Sequence, residues 1–193
     1  MAVQQLLLVG GGHAHIEVLR RIAGSGWPGV NVTLISAGRY NYYSGMIPGY
    51  VAGEYPAQAC AIDLERLAQR AEARFIDAVV TRIDATKRRI EHDAGSALPY
   101  DVASVDIGAG VRGLEQSAVG AHVLATRPIS AFVSGAETLL HRMARRAETG
   151  RPFRLMVVGA GAGGVELAFA FRDRKSTRLN SSHSQQSRMP SSA

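Results

Sequence analysis

The sequence holds one cysteine, Cys60, among 193 residues. A lone thiol excludes an intrachain disulfide and a CxxC redox pair, and it fits a reducing compartment. Within AQACAIDL, among small residues, Cys60 reads as a small buried side chain. Apolar runs such as LLLV and LMVV fall far short of the roughly 20 residues that cross a bilayer. The first residues carry no basic region ahead of an apolar stretch, so neither export nor membrane insertion is predicted. The histidines lack metal-ligand spacing with any Cys, Asp or Glu set, and no metal site is predicted. A basic stripe is missing too, although the net charge is +6. Four of the 22 basic and one of the 16 acidic side chains lie in residues 173–193, and the remaining 18 and 15 are interspersed. That distribution argues against a nucleic-acid partner.

What is present is 46% apolar residues, enough for a packed core, laid out in an α/β order. QQLLLV (4–9) is a continuous apolar run of the kind that forms a parallel strand buried on both faces. HAHIEVLRRIAG follows as a helix with Ile16, Leu19 and Ile22 on one face and Gly24 as its stop. NVTLIS (31–36) completes a βαβ unit. DLERLAQRAEA (63–73) is predicted helical, with Asp63 as N-cap and Leu64, Leu67 and Ala71 inward. ARFIDAVVTRID, KRRIEHD and ALPYDVASVDIG alternate short strands with turn signals, a small antiparallel excursion that returns to a strand. Residues 129–148 read as a long amphipathic helix ended by Gly150 and Pro152. RLMVVGAGAGGVELAFAF then restarts the strand, glycine turn and helix of residue 4.

After Phe171 the character changes. Seven serines and almost no apolar residue predict a disordered tail. DRKSTRLNSSH (173–183) resembles the translation of a short-read sequencing adapter, and SRMPSSA fits its continuation. The expectation is a natural sequence that stops near Arg172, with a non-native, disordered tail over 173–193.

Two motifs carry chemistry. In VGGGHAHIE, Gly10 and Gly12 stand between a strand and a helix. A dinucleotide pyrophosphate needs a turn tight enough to demand glycine, a second glycine that lets the phosphates approach, and a helix N-terminus facing the anion. The third glycine of that fingerprint is His15 here. The ribose-binding acid expected about 20 residues on is missing, and the Ser36 hydroxyl or a water is expected to make that contact less strongly. In VVGAGAGGVELAFAF, Gly159, Gly161 and Gly164 complete the fingerprint. Two such turns predict two dinucleotides, where a single-cofactor dehydrogenase needs only one.

The stretches LLLVGGGHAHIEVLRR, NYYSGMIPGYVAGEY, AIDLERLAQRAEARFIDAVVTRID, YDVASVDIGAG and VVGAGAGGVELA resemble the pyridine nucleotide-disulfide oxidoreductase superfamily. Within it they are most similar to the type II NADH dehydrogenase-like branch, in particular the flavoproteins associated with selenide, water dikinase. The resemblance implies a Rossmann-like FAD-binding domain with a parallel sheet and a small antiparallel excursion, followed by the first β-α unit of a second, NAD-binding Rossmann domain that is truncated here. The implied boundaries are 1–128 for the FAD-binding part, 129–150 for a connecting helix and 151–172 for the start of the NAD(P)H-binding domain. It places Gly10, Gly12, His13 and Ala14 along the FAD pyrophosphate, and Tyr43, Ser44, Gly45 and Met46 on the loop that approaches the flavin. Val80 takes the position of a backbone contact to the adenine, and Gly108 that of the glycine in the superfamily's ATG turn, altered here to DIG. Gly159, Gly161 and Gly164 would hold the NAD(P)H pyrophosphate, with Glu166 near the nicotinamide as the catalytic-site glutamate.

The implied activity is hydride transfer from NAD(P)H to FAD and electron delivery to a small-molecule acceptor. Without a cysteine pair after the first glycine helix, a quinone or a selenium or sulfur compound fits better than a disulfide. Two alternatives stand beside this reading: a non-catalytic nucleotide-binding fragment, and a sulfide:quinone-type oxidoreductase. A cytoplasmic protein is expected, with peripheral contact to the inner face of the membrane confined to the full-length protein. The truncated chain itself is expected to be inactive.

Overall fold

The computed structural model describes residues 3–111 and 122–186, with side chains described as far as Arg174. The chain forms two compact units, one of residues 1–42 and 61–131, the other of 43–60 and 132–193.

The first unit is built on a parallel sheet of β1 (Gln4–Val9), β2 (Val30–Ser36), β5 (Arg74–Asp77) and β9 (Val102–Val105). Its order is β5-β2-β1-β9, and every neighbouring pair is parallel. The chain therefore adds strands outward from β1 in one direction and then crosses to the other side of it, which makes the β1–β9 seam the point where strand order reverses. Side chains alternate across a strand, so the apolar run of β1 serves two cores. Leu8, with Leu34 and Val32, packs against Leu19 and Ile22 of α1 (His13–Ser25) and Leu64 of α3 (Leu64–Arg70). Leu7 and Val9, with Ile35, face Ala78 and Ile90 on the opposite side. Ile90 belongs to the three-stranded antiparallel excursion of β6 (Val80–Asp84), β7 (Arg89–His92) and β8 (Leu98–Pro99). A hairpin-like pair of β3 (Tyr40–Tyr42) and β4 (Ala61–Asp63) completes the unit.

Several local signals act as expected. Asp63 caps α3, its carboxylate accepting from the Arg66 amide at 3.0 Å. The helix is shorter than predicted, because Glu72 takes a left-handed φ of 52° and the Ala73 amide turns back to the Ala68 carbonyl. In α1 the stop is Gly26 rather than Gly24: Gly26 has φ 67° and its amide donates to the Ile22 carbonyl at 2.7 Å.

The second unit holds α2 (Ile47–Ala52), α4 (Ile129–Glu148, whose first residues belong to the other unit) and α5 (Ala162–Gln186). α2 packs on α5, burying Ile47, Tyr50 and Val51 from the one and Leu167, Ala170 and Phe171 within the other. The Tyr50 hydroxyl donates to the Val133 carbonyl of α4 at 3.5 Å. Arg174 donates to the Tyr50 and Val51 carbonyls at the end of α2.

Two expectations are corrected here. Residues 151–160 form no strand, although RLMVV has the composition of one. A strand exists only where a neighbour takes its amides and carbonyls, and none of the described strands pairs with this run. Residues 173–186, read from composition as disordered, continue α5 as helix. Nothing between Ala162 and Gln186 beyond the first turn is glycine or proline, so no residue breaks the helix once it has begun. Residues 187–193 of the expected tail lie outside the described residues.

Candidate dinucleotide-binding site

The β1–α1 connection lies at the carboxyl end of β1, on the seam with β9. In an open α/β sheet the reversal of strand order opens a crevice there, which is where such folds take ligands. Gly10 has φ 93°, a conformation that side-chain-bearing residues avoid, and a Cβ at Gly10 would run into the backbone of Asp106. A Cβ at Gly12 would collide with the Asp106 carboxylate, and one at Gly11 with Leu64. The turn is thus as tight as the motif predicts, and glycine is required for contact as well as for φ.

Three side chains, His15 within the fingerprint and Asn41 and Asp106 outside it, secure this turn. His15, 1% exposed, brings Nδ1 to 2.7 Å from the Gly10 carbonyl and Nε2 to 2.9 Å from the Ser104 hydroxyl of β9. A carbonyl only accepts, so the ring proton belongs on Nδ1. The residue in the third-glycine position therefore fills the space between helix and sheet with a buried ring that ties the β1–α1 turn to β9. Asn41 Nδ2 donates to the Gly11 carbonyl. Asp106 has its amide on the Val9 carbonyl at 2.8 Å and its carbonyl on the Gly12 amide at 3.1 Å, while its carboxylate accepts from the Ala14 amide at 2.9 Å.

Of the residues singled out in the sequence, Gly10, Gly12, His13, Ala14 and Ser36 come together. His13 opens α1, and the Ser36 hydroxyl points at the turn, 3.1 Å from where a Cβ on Gly11 would sit. Val80 starts β6 opposite His92, with its side chain packed toward Ile90 and Leu7. Gly108 stands in open space, and the close approach to the glycine turn falls two residues earlier, at Asp106. Acidic groups beside the end of β2 are already engaged: Asp77 accepts from the Gly38 amide at 2.8 Å, and Asp63 pairs with Arg39 at 2.6 Å. The Arg39 guanidinium, followed by the Arg66 amide, holds the Asp63 carboxyl below its ordinary range.

Tyr43, Ser44, Gly45 and Met46 belong to the second unit, where Ser44–Met46 make one 3-10 turn that precedes α2. Tyr43 is half exposed, and its amide donates to the Cys60 carbonyl at 2.8 Å. Cys60 is buried, and burial raises its thiol pKa, which makes it a poor nucleophile. At the second fingerprint Gly159 has φ 115°, and a Cβ on Gly164 would strike the Gly159 carbonyl. Gly161 has nothing near it, and Glu166 lies exposed on α5. Asp106 and Asn41 went unread in the sequence. The one signal available was the carboxylate in VDIG, where the related turn carries a small residue.

A parallel sheet that reverses its strand order at β1, with α1 and α3 on one face, the antiparallel excursion on the other and a glycine turn at the reversal point, has the arrangement of the α/β folds that take dinucleotides. The pyridine nucleotide-disulphide oxidoreductase family matches residues 4–181, and the chain belongs to that family. A type II NADH:quinone oxidoreductase of Staphylococcus epidermidis is 24% identical over 178 residues, covering 89% of this chain and 44% of the relative. Among solved structures, NDH2 from Plasmodium falciparum in complex with NADH is 15% identical with a TM-score of 0.70, covering 92% of this chain and 39% of that one. A NAD-dependent persulfide reductase from A. fulgidus is 20% identical with a TM-score of 0.69, covering 88% and 32%. The chain thus spans less than half the length of these relatives.

Proposed function

We propose that the chain is the amino-terminal part of an FAD-dependent NAD(P)H oxidoreductase whose electrons pass to a small-molecule acceptor. The observation that carries this reading is the Gly10–Ala14 turn at the β1–β9 seam, where strand reversal, left-handed glycine and helix N-terminus coincide. The absence of a Cβ at Gly10 and Gly12 and the start of α1 beside them support a pyrophosphate seat, in which the Ala14 amide is held by the Asp106 carboxylate. Ser36 lies where a ribose hydroxyl would come, and Val80 would offer backbone to the adenine. By the resemblance, Tyr43, Ser44 and Gly45 would belong to the loop that approaches the flavin, and Gly108 would take the place of the glycine in the superfamily's ATG turn. Gly159, Gly161 and Gly164 would take the NAD(P)H pyrophosphate in the same way, and Glu166 would orient the nicotinamide.

When bound, the flavin accepts hydride from the nicotinamide and hands electrons onward. The chain's own residues bind and orient, and none of them needs to act as a nucleophile. A quinone is the acceptor favoured by the similarity to type II NADH:quinone oxidoreductases. A selenium or sulfur compound is the second candidate, and Cys60, buried with a raised pKa, is ill suited to a sulfide-oxidising role. Among the described residues no helix is long and apolar enough to cross a membrane. A cytoplasmic protein touching the membrane peripherally, through parts outside this chain, suits the quinone reading.

The test is titration of the 193-residue chain with FAD and with ADP, followed by an NADH oxidation assay. Weak saturable binding of both ligands without turnover is expected. Tight stoichiometric flavin with NADH turnover would contradict the view of this chain as an incomplete enzyme. Failure to bind either ligand would contradict the dinucleotide reading itself.

A further inference from the structure

We infer that Asp106 is an internal competitor of the ligand's phosphate: its carboxylate occupies the anion seat of the first glycine turn and has to turn away before a dinucleotide binds. The inference rests on the reading of that turn as a dinucleotide site, and it concerns how the same site is regulated. The carboxylate accepts from the Ala14 amide at 2.9 Å, on the first turn of α1, where the helix dipole favours negative charge. It also fills the space beside Gly12 that the missing Cβ leaves, which is the space a pyrophosphate oxygen needs. The same hydrogen-bond donor and the same cavity cannot serve two anions at once.

The backbone of Asp106 is not free to yield. Its amide and carbonyl are tied to Val9 and Gly12, so β9 and the glycine turn stay joined whatever the side chain does. Rotation about the side-chain torsions is what remains, and Asp106, half-buried at the end of β9, has solvent to rotate into. The turn is thereby held in its binding shape by a carboxylate in place of a phosphate. A turned-away carboxylate would still lie within a few ångströms of the bound diphosphate, and like charges at such range lower affinity. Asp106 would therefore set a threshold, admitting ligands whose remaining contacts outweigh its displacement.

The experiment compares the 193-residue chain with Asp106→Asn and Asp106→Ala by isothermal titration with FAD and with ADP, and by thermal unfolding without ligand. D106N keeps the shape and an accepting oxygen but removes the charge, so it should bind both ligands about tenfold more tightly or better. D106A should bind more tightly as well, and should unfold at a lower temperature without ligand because the Ala14 amide loses its partner. If D106A fails to fold, D106N alone decides. Equal affinity of wild type and D106N, or weaker binding by D106N, would overturn the inference while leaving the dinucleotide site in place. No binding by any of the three proteins would remove the site, and the inference with it.

Discussion

Leu6–Val9 and Leu155–Val158 stand at the same distance before their glycine turns and are alike in composition. Leu7, Leu8 and Val9 are 3%, 1% and 3% exposed, whereas Met156 and Val158 are 84% and 89% exposed. The turns themselves differ much less: Gly10 and Gly159 both take positive φ, and each is followed by a helix. A glycine turn into a helix is a local structure that its own residues can form. A parallel strand is not, because its hydrogen-bonding groups and both apolar faces are satisfied only by neighbours distant in sequence. β1 has β2 and β9 beside it and two cores above and below. The second run has none of these among the described residues.

Matched substitutions can break that comparison. Leu8→Ala should cost about 2–5 kcal/mol in urea unfolding, the range for emptying a packed aliphatic site. Val157→Ala, its counterpart, should change stability by less than about 0.5 kcal/mol. Gly10→Ala adds a Cβ against the Asp106 backbone to an already unfavourable φ and should cost about 2 kcal/mol or more. At Gly159 only the φ penalty of about 1–2 kcal/mol applies. His15→Ala should cost about 1–3 kcal/mol by leaving the Gly10 carbonyl and Ser104 hydroxyl without their buried partner, seen as a lower Tm.

The smallest effect concerns pH. Asp63 has a folded pKa below its unfolded one, so its contribution is complete above the ordinary carboxylate range near pH 4 and is lost as pH falls through the lower folded value. Asp63→Asn should therefore flatten the acid side of the stability profile and lower Tm at neutral pH. A profile unchanged by D63N, which keeps an accepting oxygen for the α3 cap, would show that the charge pair with Arg39 contributes nothing measurable.

What the sequence disclosed follows the same division. QQLLLV, the Asp63 cap and the 129–148 helix were legible because periodicity and capping are local. Gly10 and Gly159 were legible because a positive φ leaves a glycine behind. RLMVV misled because composition cannot tell whether a partner strand exists. The helical continuation of α5 to Gln186 was masked by a serine-rich composition that lacks helix breakers yet has no apolar face. His15, Asn41 and Asp106 converge on one turn from three separate elements, and that convergence depends on topology rather than on spacing. Ser36 was reached by default, after the expected acid was not found.

If the first glycine turn is the FAD site proposed above, FAD should protect its backbone. Amide hydrogen exchange of the chain, with and without FAD, tests it directly. Added FAD should slow exchange across residues 10–14 and leave residues 155–164 unchanged. Protection confined to the second turn, or no change at either, would contradict the proposed site.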